Sequence, residues 1–289
     1  MSFHILTDSC TDFPLSYVQK QKDLTILPLT YEIEGVSYTP DGTDAFTRAF
    51  YKELRGGKVA KTSQVNMETW KKAFTAILDK GQDILCIAFS GALSGTYQAA
   101  VQASEEVAPK YPDRKLIVID SLSASLGQGL LVHYALQKRD GGVSLEETAQ
   151  WIQDNLQHIA QWFTVDDLQF LRRGGRVSAV SAYIGGIVKI KPIMHVSPEG
   201  KLIPKEKVTG RKRSLRVLGD KVKEKMVDPA NNVVFITHGD CEEEAQWLAD
   251  YVKANVGVKD VMTGFVGPVI GSHSGPGTMA IFFLSTDRN

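Results

Sequence analysis

Four short segments of the 289-residue chain gather hydroxyls and glycines: Thr7-Asp8-Ser9, Thr62-Ser63-Gln64, Ser90 to Thr96 (SGALSGT) and Gly271 to Gly277 (GSHSGPG). Three of them follow or adjoin a predicted strand, and open α/β sheets bind ligands at strand ends. The 90–96 turn suits an anion best. Gly91 and Gly95 allow close backbone approach. A helix beginning near Ser94 offers free N–H groups, the Gly95 N–H among them, and a positive dipole end. The Ser94 hydroxyl adds a donor, although the same residue reads equally well as the cap of a helix starting at Thr96. Thr62 and Ser63, taken alone, read as a cap for a helix over 66–79, with Asn66 as the rival cap. His273 sits in a segment with little core to offer, which favours hydrogen bonding to an anion or titration near neutrality. His4, His133, His158, His195 and His238 read as structural.

Ser94 and His273 together raise a second chemistry, a nucleophile with its base. The local pattern is Gly91-x-x-Ser94-Gly95, a loose match to the G-x-S-x-G elbow, so hydrolysis stands as the alternative reading. Neither GxxxxGK[ST] nor GxGxxG occurs, which argues against nucleotide binding in either familiar way. No His, Cys or carboxylate cluster has metal-ligand spacing. Glu242-Glu243-Glu244 reads as a solvated helix start that suits the dipole. Arg172, Arg173 and Arg176 surround Gly174-Gly175 at the end of a short helix. Lys205 to Arg216, which includes Arg211, reads as a solvated face or a docking patch for an acidic or phosphorylated partner.

The elements that must position these residues repeat as strand, turn and helix through the first half. Ile84–Phe89 and Lys115–Ile119 are apolar runs of strand length, as in a parallel sheet buried on both faces. Helices are predicted over 44–55, 66–79, 96–108, 124–139 and 144–159, and an extended stretch over 24–33. The second half differs. A strand over 161–166 precedes a short helix and glycine turn in LQFLRRGGRVS. Residues 188–196 and 201–208 are predicted to pair as a hairpin. Helices over 211–226 and 241–255 alternate with strands over 232–237, 261–266 and 279–284. The expected organisation is two α/β domains, 1–155 and 156–289. The first holds a mainly parallel, Rossmann-like sheet, and the segment near 60–82 is a candidate to pack with the second.

Composition narrows the function. Lys and Arg number 33, Asp and Glu 33, for a net charge of zero, which argues against coating nucleic acid or an anionic membrane. A regulatory or nucleic-acid-binding role through the 205–216 patch is the third reading, and no recognised binding motif supports it. Three well-separated cysteines, Cys10, Cys86 and Cys241, read as reduced thiols of a cytosolic protein. The N-terminus shows no signal-peptide pattern, and no apolar run is long enough to span a bilayer.

In order along the chain, ILTDSCTD (5–12), KTSQ (61–64), FSGALSGTYQAA (89–100), VIDSLSASLGQGLLV (118–132), LQFLRRGGRVS (168–178), IGGIVKIKPI (184–193) and GPVIGSHSGPGTMAI (267–281) resemble the DegV family of bacterial fatty-acid-binding proteins. Each motif is weak alone; the ordered set is specific and covers nearly the whole chain. The resemblance implies two α/β domains with a lipid held between them, the acyl tail in an apolar tunnel and no cofactor. It implies that Thr62 and Ser94 hydrogen-bond the carboxylate, with His273 close to the head group. It further implies a non-enzymatic lipid carrier that serves a separate ATP-dependent kinase subunit, which would phosphorylate the bound acid. Arg173, Arg176 and Arg211 then become candidates for contacting that partner or the phosphate. Val65 stands where the family pattern has proline.

Overall fold

The computed structural model describes residues 3–177 and 190–288. The first half of the chain runs β1 (His4–Asp8), α1 (Leu15–Val18), β2 (Leu24–Leu27), β3 (Thr30–Ile33), β4 (Val36–Tyr38), α2 (Asp44–Arg55), β5 (Ala60–Ser63), α3 (Met67–Leu78), β6 (Ile84–Ala88), α4 (Thr96–Val107), β7 (Leu116–Asp120), α5 (Leu126–Asp140) and α6 (Leu145–Asn155). The second half runs β8 (Ile159–Thr164), α7 (Leu168–Gly174), β9 (Ile190–Val196), β10 (Leu202–Thr209), α8 (Arg211–Lys225), β11 (Val233–His238), α9 (Glu242–Val256), β12 (Asp260–Phe265), α10 (Pro268–Ser274) and β13 (Met279–Leu284). The start of the expected hairpin at 188–189, residues 184–189 of IGGIVKIKPI, and Ser178 lie outside the described residues.

Three sheets form. The first is wholly parallel, in the order β2-β1-β6-β7. All five residues of β6 are buried, as expected for an apolar run with neighbours on both edges. The second has six strands in the order β10-β9-β8-β13-β11-β12. It is antiparallel except where β11 runs beside β12. A small antiparallel sheet, β4-β3-β5, stands apart from both. The stretch over 24–33 is therefore two strands in two sheets rather than one. Pro28 follows β2 and has no N–H to donate to a ladder, so the chain leaves the parallel sheet there and pairs elsewhere.

Local signals set the helix starts. Thr43 caps α2 by accepting from the Phe46 N–H, and Asn66 caps α3 by accepting from Thr69. Ser144 and Glu147 form a reciprocal capping box at α6. Because Asn66 takes the cap of α3, the Thr62 hydroxyl is left for other work.

Helix α5 is the shared element of the core. Eleven of its 15 residues are buried. It touches β1 and β6 of the parallel sheet as well as β8, β11 and β13 of the mixed one. Leu126, Leu130 and Leu131 thus belong to the same apolar cluster as Ile5 and Leu85 on one side and Phe163, Phe235 and Phe282 on the other. Across the 60–82 segment the two ends part company. Strand β5 lies against α10 of the second half, while α3 packs on α4 within the first.

Two histidines read as structural carry an acid cost. His195 is fully buried with neither ring nitrogen hydrogen-bonded among the described residues. Burial, then the charge of Lys205, pushes its pKa down to about 4. His133 is likewise held near 4, chiefly by burial. Both stay neutral in the native state, while the unfolded chain binds protons below about 6.5. Stability from these groups is therefore complete above about pH 6.5 and is lost as pH falls toward 4. In urea unfolding, His195→Phe is expected to gain about 2 kcal/mol on wild type between pH 7 and pH 5. An unchanged gap between the two proteins across those pH values would refute the assignment.

Candidate functional site

The four hydroxyl-rich segments meet different fates. Asp8 is fully buried and accepts hydrogen bonds from the Cys10 and Phe89 N–H groups (3.0 and 2.8 Å) and from Gln128 Nε2 (3.2 Å). Burial still lifts its pKa to about 6. Thr7 Oγ1 donates to the Ile87 carbonyl at 2.6 Å. This first segment is therefore a brace that ties the end of β1 to the end of β6.

The 90–96 turn is held from three further directions. Asp120, at the end of β7, accepts from the Gly91 N–H at 3.2 Å, so that N–H is spent within the protein. Ser90 donates to the Gly200 carbonyl in the turn between β9 and β10, at 2.9 Å. The Arg176 Nε donates to the Leu93 carbonyl at 3.3 Å. The helix proper begins at Thr96 with Gly95 as its cap residue. Ser94 Oγ accepts from the Thr96 N–H at 3.3 Å and shares a hydrogen bond with Thr96 Oγ1 at 2.9 Å. The capping reading of Ser94 is correct in part, yet the residue also lines a cavity.

The GSHSGPG segment is not a loop at His273. Residues Pro268–Ser274 form α10, and Gly275 ends it with φ 80°. His273 lies on its last turn, packed toward α7 and β5. Its Nε2 hydrogen-bonds Thr62 Oγ1 at 2.8 Å. The nucleophile–base pair of Ser94 and His273 is thus not made: the imidazole bonds Thr62 and the serine bonds Thr96. Burial, with a smaller contribution from the Arg176 charge, depresses the His273 pKa to about 4, so the ring is neutral at pH 7. Its Nδ1 is buried without a partner among the described residues and faces Gly174, where a Cβ would overlap the ring.

Thr62, Ser94, Gly95 and His273 all line one cavity between the two halves, with about 990 Å³ of empty space, mouth included. Beyond them its wall is largely apolar, with Phe89, Leu93, Phe163, Leu171, Leu202 and Phe282 prominent. Thr62, His273 and Arg176 also border a second, outer cleft, which the exposed Lys61 and Arg173 share. The Arg173 guanidinium sits 4.6 Å over the Phe170 ring. The third arginine is placed differently. Arg211 pairs with Glu244 (2.6 Å) and lies 3.5 Å from Asp166. It borders neither the cavity nor the outer cleft. An arginine at the start of α8 can reach the acidic first turn of α9, and that pairing sets it apart from Arg173 and Arg176.

Sequence reasoning missed Gln64, whose carboxamide lies across Gly95 and lines the cavity. It also missed Ser125 and Thr237. Ser125 donates to Asp12 at 2.6 Å and hydrogen-bonds Thr237 at 3.1 Å. Its backbone, at φ 55° and ψ −146°, is of a kind that non-glycine residues adopt only when their surroundings impose it. The αL conformation of Asp12 (φ 52°) beside it is a similar sign. Among the described residues no three His, Cys, Asp or Glu side chains are grouped to hold a metal, and no helix is long and apolar enough to cross a membrane. The three cysteines are free.

Fold and site together define a mixed α/β protein with a cavity lined by hydroxyls, an imidazole and mostly apolar side chains. The chain belongs to the DegV family: the profile described as "Uncharacterised protein, DegV family" matches residues 2–286. A DegV domain-containing protein of Clostridium perfringens is 42% identical, covering 99% of this chain and 98% of its own. A fatty acid-binding protein of Thermotoga maritima is 32% identical, with 96% of each chain covered. Among solved structures, a DegV lipid-binding protein of Thermotoga maritima superposes with a TM-score of 0.87 at 31% identity, covering 100% of both chains. The fatty-acid-binding DegV of Bacillus subtilis gives 0.84 at 26% identity, covering 99% of this chain and 100% of its own.

Proposed function

We propose that this protein binds a long-chain fatty acid, with the carboxylate at the mouth and the acyl chain in the cavity. It then presents the acid to an ATP-dependent partner kinase in the cytosol. The observation that carries the reading is the continuity of one polar cluster, built on the 2.8 Å Thr62–His273 bond, with a largely apolar interior. The fatty-acid-binding relative in Thermotoga maritima supports it.

The chemistry is consistent with this division of labour. Each buried methylene contributes about 0.8 kcal/mol, so the chain supplies most of the affinity. A carboxylate cannot be buried bare. The Thr62 and Ser94 hydroxyls and the Gly95 N–H satisfy it without a direct ion pair, and the neutral His273 holds Thr62 in place beside them. An oxygen held by neutral donors keeps its nucleophilicity. It can attack the γ-phosphorus of ATP supplied by the partner, the bond to the β-phosphate oxygen breaks, and acyl phosphate and ADP leave. Arg173 and Arg176, on the rim of the outer cleft, would meet the transferred phosphoryl group or the partner.

Solvent extraction and mass spectrometry of the purified protein should find one fatty acid per chain. Thr62→Ala combined with Ser94→Ala should lower its retention by about tenfold or more, since charge-assisted hydrogen bonds are worth about 1.5–3 kcal/mol each. A clean apo mass, with no acid taken up on addition, would overturn the proposal.

A further inference from the structure

Beside the Thr62–His273 pair the cavity has a second polar feature. Ser274, next to His273 on α10, is 5% exposed and lines the cavity, yet its Oγ has no hydrogen-bond partner among the described residues. Native proteins rarely leave a buried hydroxyl in this condition unless something else meets it. Ser274 borders the cavity but not the outer cleft, whereas Thr62, Arg176 and His273 border both. It shares a helical face with Ile270, four residues earlier, which also lines the interior. Its unpartnered hydroxyl is therefore available to a molecule inside the cavity.

The neighbouring hydroxyls are already committed as donors. Thr278 Oγ1 donates to the Ser274 and Gly275 carbonyls at 3.0 and 2.8 Å. Ser125 gives its proton to Asp12, which leaves Thr237 as the donor in their 3.1 Å bond. Thr237 Oγ1 is fully buried and lines the same cavity, with lone pairs still free to accept. The lining of the cavity thus offers a free donor at Ser274 and a free acceptor at Thr237. A methylene chain uses neither. A keto group can only accept. A hydroxyl both donates and accepts at one atom.

We infer that the cavity takes acids whose chain carries a hydroxyl group, held by Ser274 and Thr237, in preference to plain hydrocarbon chains. The inference rests on the fatty-acid reading of the same cavity. The test is competition: the protein, freed of lipid, is offered an equimolar mixture of octadecanoic acid and its mono-hydroxylated positional isomers, and the bound acids are extracted and quantified. At least one isomer should be enriched about tenfold over octadecanoic acid, the ratio expected for one hydrogen bond with a buried partner. Ser274→Ala should erase that enrichment and leave octadecanoic acid bound as well as before or better, because the variant buries no unpaired hydroxyl. Uptake of octadecanoic acid with no isomer preferred, or a preference that survives Ser274→Ala, would overturn this inference alone. Weaker binding of octadecanoic acid itself in the variant would overturn it too, by placing Ser274 at the carboxylate. No uptake of any acid would overturn the fatty-acid reading and this inference with it.

Discussion

Gly200→Ala is expected to destabilise the protein by about 2–4 kcal/mol, read as a fall in the urea midpoint. Gly200 turns the chain between β9 and β10 with φ 77°, a conformation that costs a residue with a Cβ about 1–2 kcal/mol. The cost does not stop at the backbone. A Cβ there would overlap Ser90 Oγ and approach the Leu122 backbone to 3.1 Å, and overpacking adds about 1–3 kcal/mol. Ser90 and Leu122 sit on the loops after β6 and β7, so the collision pushes the 90–96 turn away from the second half of the molecule. Ligand retention should fall along with stability. A variant as stable as wild type would show that the turn can move aside and that the Ser90–Gly200 bond does not hold it.

The second large effect is expected at Gly174, and it should appear in binding rather than in folding. Its Cα faces the His273 ring, and an added methyl would have to displace Nδ1. Swinging the ring breaks the bond to Thr62 and disorders the mouth of the cavity. Gly174→Ala should therefore reduce fatty-acid retention by about tenfold, while the urea midpoint moves far less than in Gly200→Ala, because Gly174 is only half-buried and its helix carries little core. A companion change of Gly175, whose Cβ would meet nothing within 4 Å, separates the two causes. Its φ of 66° strains the backbone without touching the histidine. Equal losses of binding in both variants would remove the steric explanation.

Most of the large elements were legible because their patterns are local. The apolar run of β6 and the face of α3 built on Trp70, Phe74 and Ile77 each speak within a dozen residues. Helix α10 was not legible. Gly271, Ser272, Ser274 and Gly275 are poor helix formers, and the helix exists because α7, α2 and the β3 and β5 strands pack around it. The three-stranded sheet was hidden for a related reason: its pairing of Tyr31 with Thr62 joins distant residues, and no periodicity reports that. Ser94 and His273 stood out as residue types in suitable segments, and Thr62 only through the family resemblance. Their partners did not, since Thr62 and His273 meet across 211 positions of sequence. The ion pair of Arg211 and the bond that keeps Ser94 from His273 were not legible either. Nearby acceptors, Glu244 and Thr96, claim the groups first.

The burial of α5 bears on how this molecule can open. A helix enclosed between two sheets on 11 of 15 positions cannot act as a hinge, because rotating one half against the other would expose Leu126, Leu130 and Leu131 to water at about 1.5–3 kcal/mol each. The two halves are separate in chain order but share one cohesive interior, and they should melt together rather than in turn. Movement that admits a chain of methylenes must instead be local, confined to segments that contribute little to that interior. The rigid partition made by α5 and the small moving parts around the mouth are then complementary. One keeps the cavity's shape fixed, and the other decides when it is filled.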